Sequence, residues 1–150
     1  MITPTPDDLL TALNAQRWAA EVAAQGPFET VDKLLDAAFD ATPLTTAEID
    51  EAISHHPRIG EKPVGESASA AMSRSEQGSS LELADEIAAG NAAYEARFGR
   101  VFIIRAAGRS RAEILASLTE RLELDDATEL AIVGEQLRDI ALLRLETMYA

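Results

Sequence analysis

Apolar residues return every three or four positions along most of the chain, which is the spacing of one face of a helix. The clearest instance lies in 31–38, where Val31, Leu34, Leu35 and Ala38 occupy positions i, i+3, i+4 and i+7. Ala, Leu, Glu and Arg, which favour helices, dominate the same stretches of sequence. The pattern therefore predicts an all-α fold.

Helix-start signals divide this pattern into separate helices. Pro follows Thr5 at a first helical position, and Thr45 with Glu48 and Ser110 with Glu113 have the spacing of capping boxes. Glycine and proline mark the ends, at Gly26-Pro27, Pro43, Pro57 and Gly99. We expect a single compact domain over 1–150 with about seven or eight helices.

Two stretches depart from the helical pattern. Residues 57–69 are rich in Pro, Gly and Ser, which predicts a long loop, and loops of this length in compact domains are more often functional than idle. Helices over about 70–77 and 81–98 should follow. The run Val-Phe-Ile-Ile at 101–104 looks extended but has no partner strand. It predicts one short buried extended segment near 101–105, packed between helices.

Charge is distributed unevenly along the chain, whose formal net charge is −13. Residues 1–55 hold two basic and ten acidic residues, 56–111 hold eight and seven, and 112–150 hold three and nine. The acidic flanks fit ordinary solvated helix faces. The overall negative field argues against nucleic acid or an anionic membrane as a partner.

Several classes of protein find no support in the sequence. There is no Cys, which excludes disulfides and thiolate metal sites, and no Gly-rich phosphate loop or Gly-x-Ser-x-Gly motif occurs. No apolar run is long enough to span a membrane, and the first residues lack the features of a signal peptide. We expect a cytoplasmic protein.

His56 is the first candidate for chemistry, because imidazole exchanges protons near neutral pH without a large environmental shift. It precedes a proline at the start of the predicted loop. An ordinary surface histidine is the alternative. A zinc site is disfavoured, since His55 and His56 are adjacent rather than spaced along one helix face and no Cys completes a tetrahedral site.

Ser73, Glu76 and Gln77 form a second candidate group, spaced at i, i+3 and i+4. On one helix face they would present a hydroxyl, a carboxylate and a carboxamide to a polar ring compound. A capping box made by Ser73 and Glu76 is the alternative, and periodicity does not separate the two.

Arg144 is a third candidate, because it lies in the almost wholly apolar stretch 140–145. A guanidinium in that setting must either reach solvent or face an anion, which a protein carboxylate or a ligand could supply.

Four motifs, taken together and in order, resemble those of the 2-oxo-4-hydroxy-4-carboxy-5-ureidoimidazoline (OHCU) decarboxylase family. They are His56-Pro57-Arg58-Ile59-Gly60, Ser73-x-x-Glu76-Gln77, Asn91-x-x-Tyr94-x-x-Arg97-Phe98-Gly99-x-Val101-Phe102 and Ile140-Ala141-x-x-Arg144-Leu145. The resemblance implies an all-α enzyme, a carboxy-lyase, that uses no metal and no organic cofactor. It also implies a place in urate degradation, where the family converts OHCU to (S)-allantoin.

The resemblance further implies roles for individual residues. His56 would be the general acid/base, with Glu76 and Arg144 as further catalytic groups. Substrate binding would fall to Pro57, Ser73, Gln77 and the main chain of Val101, Phe102, Ile103 and Ile104. The family often has an aromatic residue and a proline where this chain has Arg100 and Val101, so the role of Arg100 is left open.

The expected partner is a small anionic ureidoimidazoline, which a few arginines and main-chain amides can hold despite the negative net charge. A homodimer is compatible with the resemblance, since family members often associate. Two other functions remain open at this point: a non-catalytic acidic helical interaction module, and another ring-processing enzyme of the same pathway.

Overall fold

The computed structural model describes residues 1–54, 56, 58–59 and 83–150. Seven helices lie in these stretches: α1 (Pro6–Ala12), α2 (Gln16–Gln25), α3 (Val31–Asp40), α4 (Thr46–Ile53), α5 (Ala84–Phe98), α6 (Arg111–Arg121) and α7 (Asp126–Tyr149). The predicted all-α class is therefore confirmed. Most of the predicted loop at 57–69 and the helix predicted over 70–77 lie outside the described residues.

Two compact units make up the chain, one formed by Met1–His55 with Gly134–Ala150 and the other by His56–Val133. The first contains α1 to α4, the second contains α5 and α6, and α7 contributes to both. The assignment of 1–150 to one domain stays a prediction. Within the described stretches, no helix combines the length and the apolar character needed to cross a membrane.

Most helix starts lie where the sequence predicts them. The side chain of Thr5 accepts a hydrogen bond from the Asp8 amide, and both halves of the two predicted capping boxes form. These bonds satisfy main-chain amides that have no partner inside the helix. The α5 start differs, because it follows Leu83 in a left-handed conformation (φ 59°) with no side-chain cap. No cap residue marks this start in the sequence, which predicts it only near 81.

The first unit has its core around Trp18, which is 1% exposed and donates its indole N–H to the Ala38 carbonyl at 3.0 Å. An isolated antiparallel bridge also ties the first residues of the chain to the α2–α3 connection, through main-chain bonds of 2.6 and 2.8 Å between Ile2 and Phe28. The helical periodicity could not predict this bridge, since a pairing of two residues has no repeat.

The second unit is organised around α5, α6 and the segment that joins them. Residues 101–106 form neither helix nor strand, and Phe102, Ile103 and Ile104 are at most 3% exposed. The predicted buried segment is thus confirmed. Phe102, Ile104 and Ala106 of this segment belong to one hydrophobic cluster with Ile59 and with residues of both helices, namely Ile87, Tyr94, Ile114 and Leu118.

Candidate active site

The segment 101–106 leaves α5 at a glycine turn. Gly99 adopts φ 71°, a left-handed conformation that favours glycine, and its amide bonds the Glu95 carbonyl at 2.9 Å. The chain then runs into the core instead of continuing as a helix. The Phe-Gly dipeptide of the sequence motif is therefore the point at which the backbone changes direction.

Three main-chain amides of this buried segment have no hydrogen-bond acceptor among the described residues. Among the hydrogen bonds that join described residues, none uses the N–H groups of Phe102, Ile103 or Ile104. Buried amides almost always have an acceptor, because leaving one unmade costs about as much as a lost hydrogen bond. The described residues therefore supply no acceptor for these N–H groups.

A buried polar network lies beside the same segment. Arg121 donates through Nη1 to the Ile103 carbonyl at 2.8 Å, and through Nε to Glu129 at 2.8 and 3.1 Å. Arg121 Nη2 also contacts Glu129, and the Tyr94 hydroxyl donates to Glu129 Oε1 at 2.6 Å. Glu129 is 0% exposed and Arg121 is 5% exposed. Burial raises the pKa of Tyr94, and the hydrogen bond to Glu129 raises it further. The hydroxyl group therefore stays protonated and acts as a donor.

Aromatic contacts hold this network against Phe102. The Tyr94 and Phe102 rings meet edge to face, with centroids 5.2 Å apart, and the Arg121 guanidinium lies 4.5 Å from the Phe102 ring centroid. Both contacts are attractive because the ring face is negative and its edge positive. Arg121 thus contacts both the Phe102 side chain and the Ile103 carbonyl of this segment.

His56 lies in the same unit and is partly buried, with both imidazole nitrogens shielded from solvent. Two contacts join the residues that follow it to α5. Arg58 donates through Nε and Nη2 to the carboxylate of Glu95, both at 2.8 Å, and Asn91 donates to the Ile59 carbonyl at 2.6 Å. The hydrogen bond from Arg58 lowers the pKa of Glu95, which keeps this pair charged. Arg58 and Ile59, the described residues that follow His56, are therefore held to one face of α5.

A cavity of about 360 Å³ opens beside this junction. Its described lining consists of Arg58, Ile59 and the α5 residues Ala84, Ala88, Asn91, Ala92 and Glu95. Neither His56 nor residues 101–104 are among these described lining residues.

Arg144 belongs to the other unit and is 3% exposed. Its Nη1 donates to the Thr11 carbonyl at 2.9 Å, in the last turn of α1. A cation there is favoured by the partial negative charge at a helix C-terminus. Of the two settings expected for this guanidinium, exposure to solvent is wrong. Its role towards a carboxylate of the protein or of a ligand stays a prediction.

Four predicted site residues lie outside the described residues: Pro57, Ser73, Glu76 and Gln77. The predicted Val101, Phe102, Ile103 and Ile104 lie together in the buried segment, in the same unit as His56. The described stretches contain no cluster of three or more His, Asp or Glu side chains suited to a metal ion.

The network of Tyr94, Arg121 and Glu129 was not predicted from the sequence. A signal was present, because each residue lies on the apolar stripe of its helix. Tyr94 follows Ile87 by seven positions, Arg121 continues Ile114 and Leu118, and Glu129 precedes Val133 and Leu137 by steps of four. A charged residue on such a stripe is buried and needs a partner.

Comparisons with known proteins agree with this architecture. The family model described as OHCU decarboxylase matches residues 6–146. A curated relative, the uric acid degradation bifunctional protein TTL of Arabidopsis thaliana, is 31% identical over 154 residues, covering 96% of this chain and 47% of that protein. The chain therefore spans about half the length of this relative.

Solved structures give the same result. A crystal structure of OHCU decarboxylase in the presence of (S)-allantoin superposes with a TM-score of 0.78 at 29% identity, covering 95% of this chain and 96% of that one. A crystal structure of (S)-allantoin synthase matches with a TM-score of 0.65 at 20% identity, over 96% and 49% of the two chains, which shows a shared fold. With its motifs in order and the family model matched from residue 6 to 146, the chain belongs to the OHCU decarboxylase family.

Proposed function

We propose that this protein decarboxylates OHCU to (S)-allantoin, without a metal or organic cofactor, as a step of urate degradation. Family membership supports the reaction class. The observation that carries the proposal is the set of buried main-chain amides at Phe102, Ile103 and Ile104, which no acceptor among the described residues engages. Such amides suit the carbonyl oxygens of an imidazoline ring.

The chemistry of the step explains why amides are useful there. The bond between a ring carbon and its carboxylate breaks, CO2 leaves, and the electron pair stays on the ring as an enolate-like anion. That anion then takes up one proton to give the product. N–H groups aimed at the ring oxygen stabilise the developing negative charge, and they do so most strongly in a site that excludes water.

His56 is proposed as the general acid/base that manages the proton of the 4-hydroxyl group or delivers the new C–H proton to one face. The shielding of both imidazole nitrogens from solvent supports this role, since a site that excludes water protects a reactive anion from protonation by solvent. Glu76 and Arg144 are proposed as the further catalytic groups, and Pro57, Ser73 and Gln77 as substrate-binding residues with Val101–Ile104. A homodimer and a cytoplasmic location also stay predictions.

Replacement of His56 tests the proposal directly. We expect His56→Ala to retain the fold and to lower turnover at least ~10²-fold, the lower end for a positioned acid/base. Activity is measured by circular dichroism of (S)-allantoin, with OHCU generated in place from urate by urate oxidase and hydroxyisourate hydrolase. His55→Asn serves as the matched control and should keep near-normal activity. A His56→Ala protein that turns over OHCU at the wild-type rate would remove the assignment.

The same assay separates the other two functions. An unchanged, slow and racemic course with wild-type protein would favour a non-catalytic interaction module. Faster loss of hydroxyisourate when the hydrolase is omitted would favour a ring hydrolase. Rapid growth of the (S)-allantoin signal together with CO2 release supports the decarboxylase.

A further inference from the structure

We infer that Arg121 is a positioning residue that orients the Ile104 amide towards the active site. Glu129 and Tyr94 fix the orientation of Arg121 through hydrogen bonds. The inference rests on the proposed function and extends it to three residues that the sequence motifs give no role. All three lie in one compact unit together with the segment that they would position.

The geometry of the peptide bond determines where the Ile104 N–H points. The Ile103 carbonyl and the Ile104 N–H share one rigid plane, and in a trans peptide they point in opposite directions. This bond is trans, since the cis bonds found among the described residues precede Pro27 and Pro43. Arg121 binds the Ile103 carbonyl at 2.8 Å, so the Ile104 N–H points away from the network.

The Arg121 guanidinium is itself held in one orientation. It is planar and carries donors in a fixed fork, so two sets of hydrogen bonds fix its orientation. Glu129 accepts from one side of the fork, and the Tyr94 hydroxyl holds the Glu129 carboxylate in turn. The Phe102 ring packs against the guanidinium. The carbonyl is therefore bound by a group that has little freedom to rotate.

Stability alone does not explain why the Arg121–Glu129 ion pair is buried. A buried ion pair commonly contributes no more stability than apolar side chains of similar size, because both charges lose their hydration. The Arg121–Glu129 pair is at most 6% exposed. Hydrophobic packing would hold the helices together equally well but could not bind the Ile103 carbonyl, which sets the direction of the next amide.

The test removes the network without leaving an unpaired buried charge. In Arg121→Met/Glu129→Leu we expect kcat to fall at least ~10-fold with KM changed less than ~3-fold, because a misdirected amide loses contact mainly with the developing charge. A matched control, Arg17→Gln/Glu48→Gln, removes an ion pair of the other unit and should keep the wild-type kcat.

A second readout follows the amide itself. Adding (S)-allantoin as the probe should shift the Ile104 amide signal in the NMR spectrum of the wild type, and this shift should be lost in the double variant. If the double variant does not fold, Tyr94→Phe decides, since it keeps the ring and deletes only the hydroxyl donor. We expect Tyr94→Phe to lower kcat ~3-fold or more at unchanged KM.

The possible failures are distinguishable. A wild type that does not decarboxylate OHCU would overturn the proposed function. The positioning role would be overturned if the wild type is active and a folded network variant keeps both the wild-type kcat and the shift of the Ile104 signal on adding (S)-allantoin. The proposed function would then remain in place.

Discussion

At the scale of single residues, three buried charged side chains each have a polar partner within the protein. Glu129 and Arg121 bind each other, and Arg144 binds the Thr11 carbonyl at the end of α1. Each of these groups would be costly to bury without such partners. A substitution at these positions should therefore change stability, and under the proposed roles it should also change activity, so experiments must measure both.

Arg144→Met should lower both stability and turnover. The Thr11 carbonyl would lose its donor, which costs about 1–3 kcal/mol when an acceptor is left unsatisfied in a buried site. Under the proposed role, kcat should also fall at least ~10-fold at a temperature where the variant is fully folded. Urea unfolding and the OHCU assay measure the two effects separately.

Arg144→Lys is the control for charge. It keeps the cation but loses the planar fork, so we expect it to recover part of the activity and less of the stability. Near-normal kinetics in folded Arg144→Met would leave this residue with a structural role only.

Glu48 is a carboxylate whose contribution to stability depends on pH. The hydrogen bond from Arg17 lowers the pKa of Glu48 to about 2 from an ordinary 4.5. Because the folded-state pKa lies below the unfolded one, the stabilisation is present above about pH 4.5 and is lost as the pH falls towards 2.

We therefore expect Glu48→Gln to reduce the free energy of unfolding by about 1 kcal/mol at pH 7, a modest value because the Arg17 side chain is 43% exposed. Gln keeps an acceptor for the capping box, so the change isolates the charge. The difference from wild type should shrink between pH 5 and pH 2.5 in urea titrations. Glu21→Gln removes an exposed partner of the same arginine and should cost less than about 0.5 kcal/mol. A Glu48→Gln difference that stays constant with pH would contradict this interpretation.

At the scale of helices, local sequence and packing act at different places. Capping residues set where α4 and α6 begin, whereas a close approach of side chains sets how α5 and α6 meet. A Cβ placed on Gly90 of α5 would lie 2.4 Å from Leu118 Cδ2 of α6, and Leu118 is fully buried. The absence of a side chain at Gly90 therefore permits this helix contact.

Two glycine-to-alanine changes should have opposite effects. Gly90→Ala gains up to about 1 kcal/mol of helix propensity but forces Leu118 to move, and overpacking of this kind costs about 1–3 kcal/mol. We expect a net destabilisation of about 1 kcal/mol. Gly134→Ala in α7 meets only Ile49 Cδ1 at 3.5 Å, an ordinary contact, and should stabilise by about 0.5–1 kcal/mol.

Chemical unfolding of the two variants measures both effects. In Gly90→Ala/Leu118→Ala the effects should not add, since the smaller side chain makes room for the new methyl group. Stabilisation by Gly90→Ala comparable to that by Gly134→Ala would contradict the close contact.

At the scale of the whole molecule, the net charge of −13 is concentrated in residues 1–55 and 112–150, which together hold five basic and nineteen acidic residues. The stretch 56–111, which contains His56 and the segment 101–106, has eight basic and seven acidic residues. Under the proposed function, amides and arginines would hold a small anionic substrate locally, and weak binding of polyanions to the acidic chain stays a prediction.

The sequence alone determined the helical class, most helix starts and the buried segment near 101–105, because capping, turns and periodicity depend on neighbouring residues. It also determined the family, because four motifs recur in order. Only the tertiary structure decided that Tyr94, Arg121 and Glu129 meet beside the Ile103 carbonyl. Tyr94 and Glu129 are 35 positions apart, and their contact depends on how separate elements pack. An apolar stripe shows that a charge on it must find a partner, but packing alone selects which partner that is.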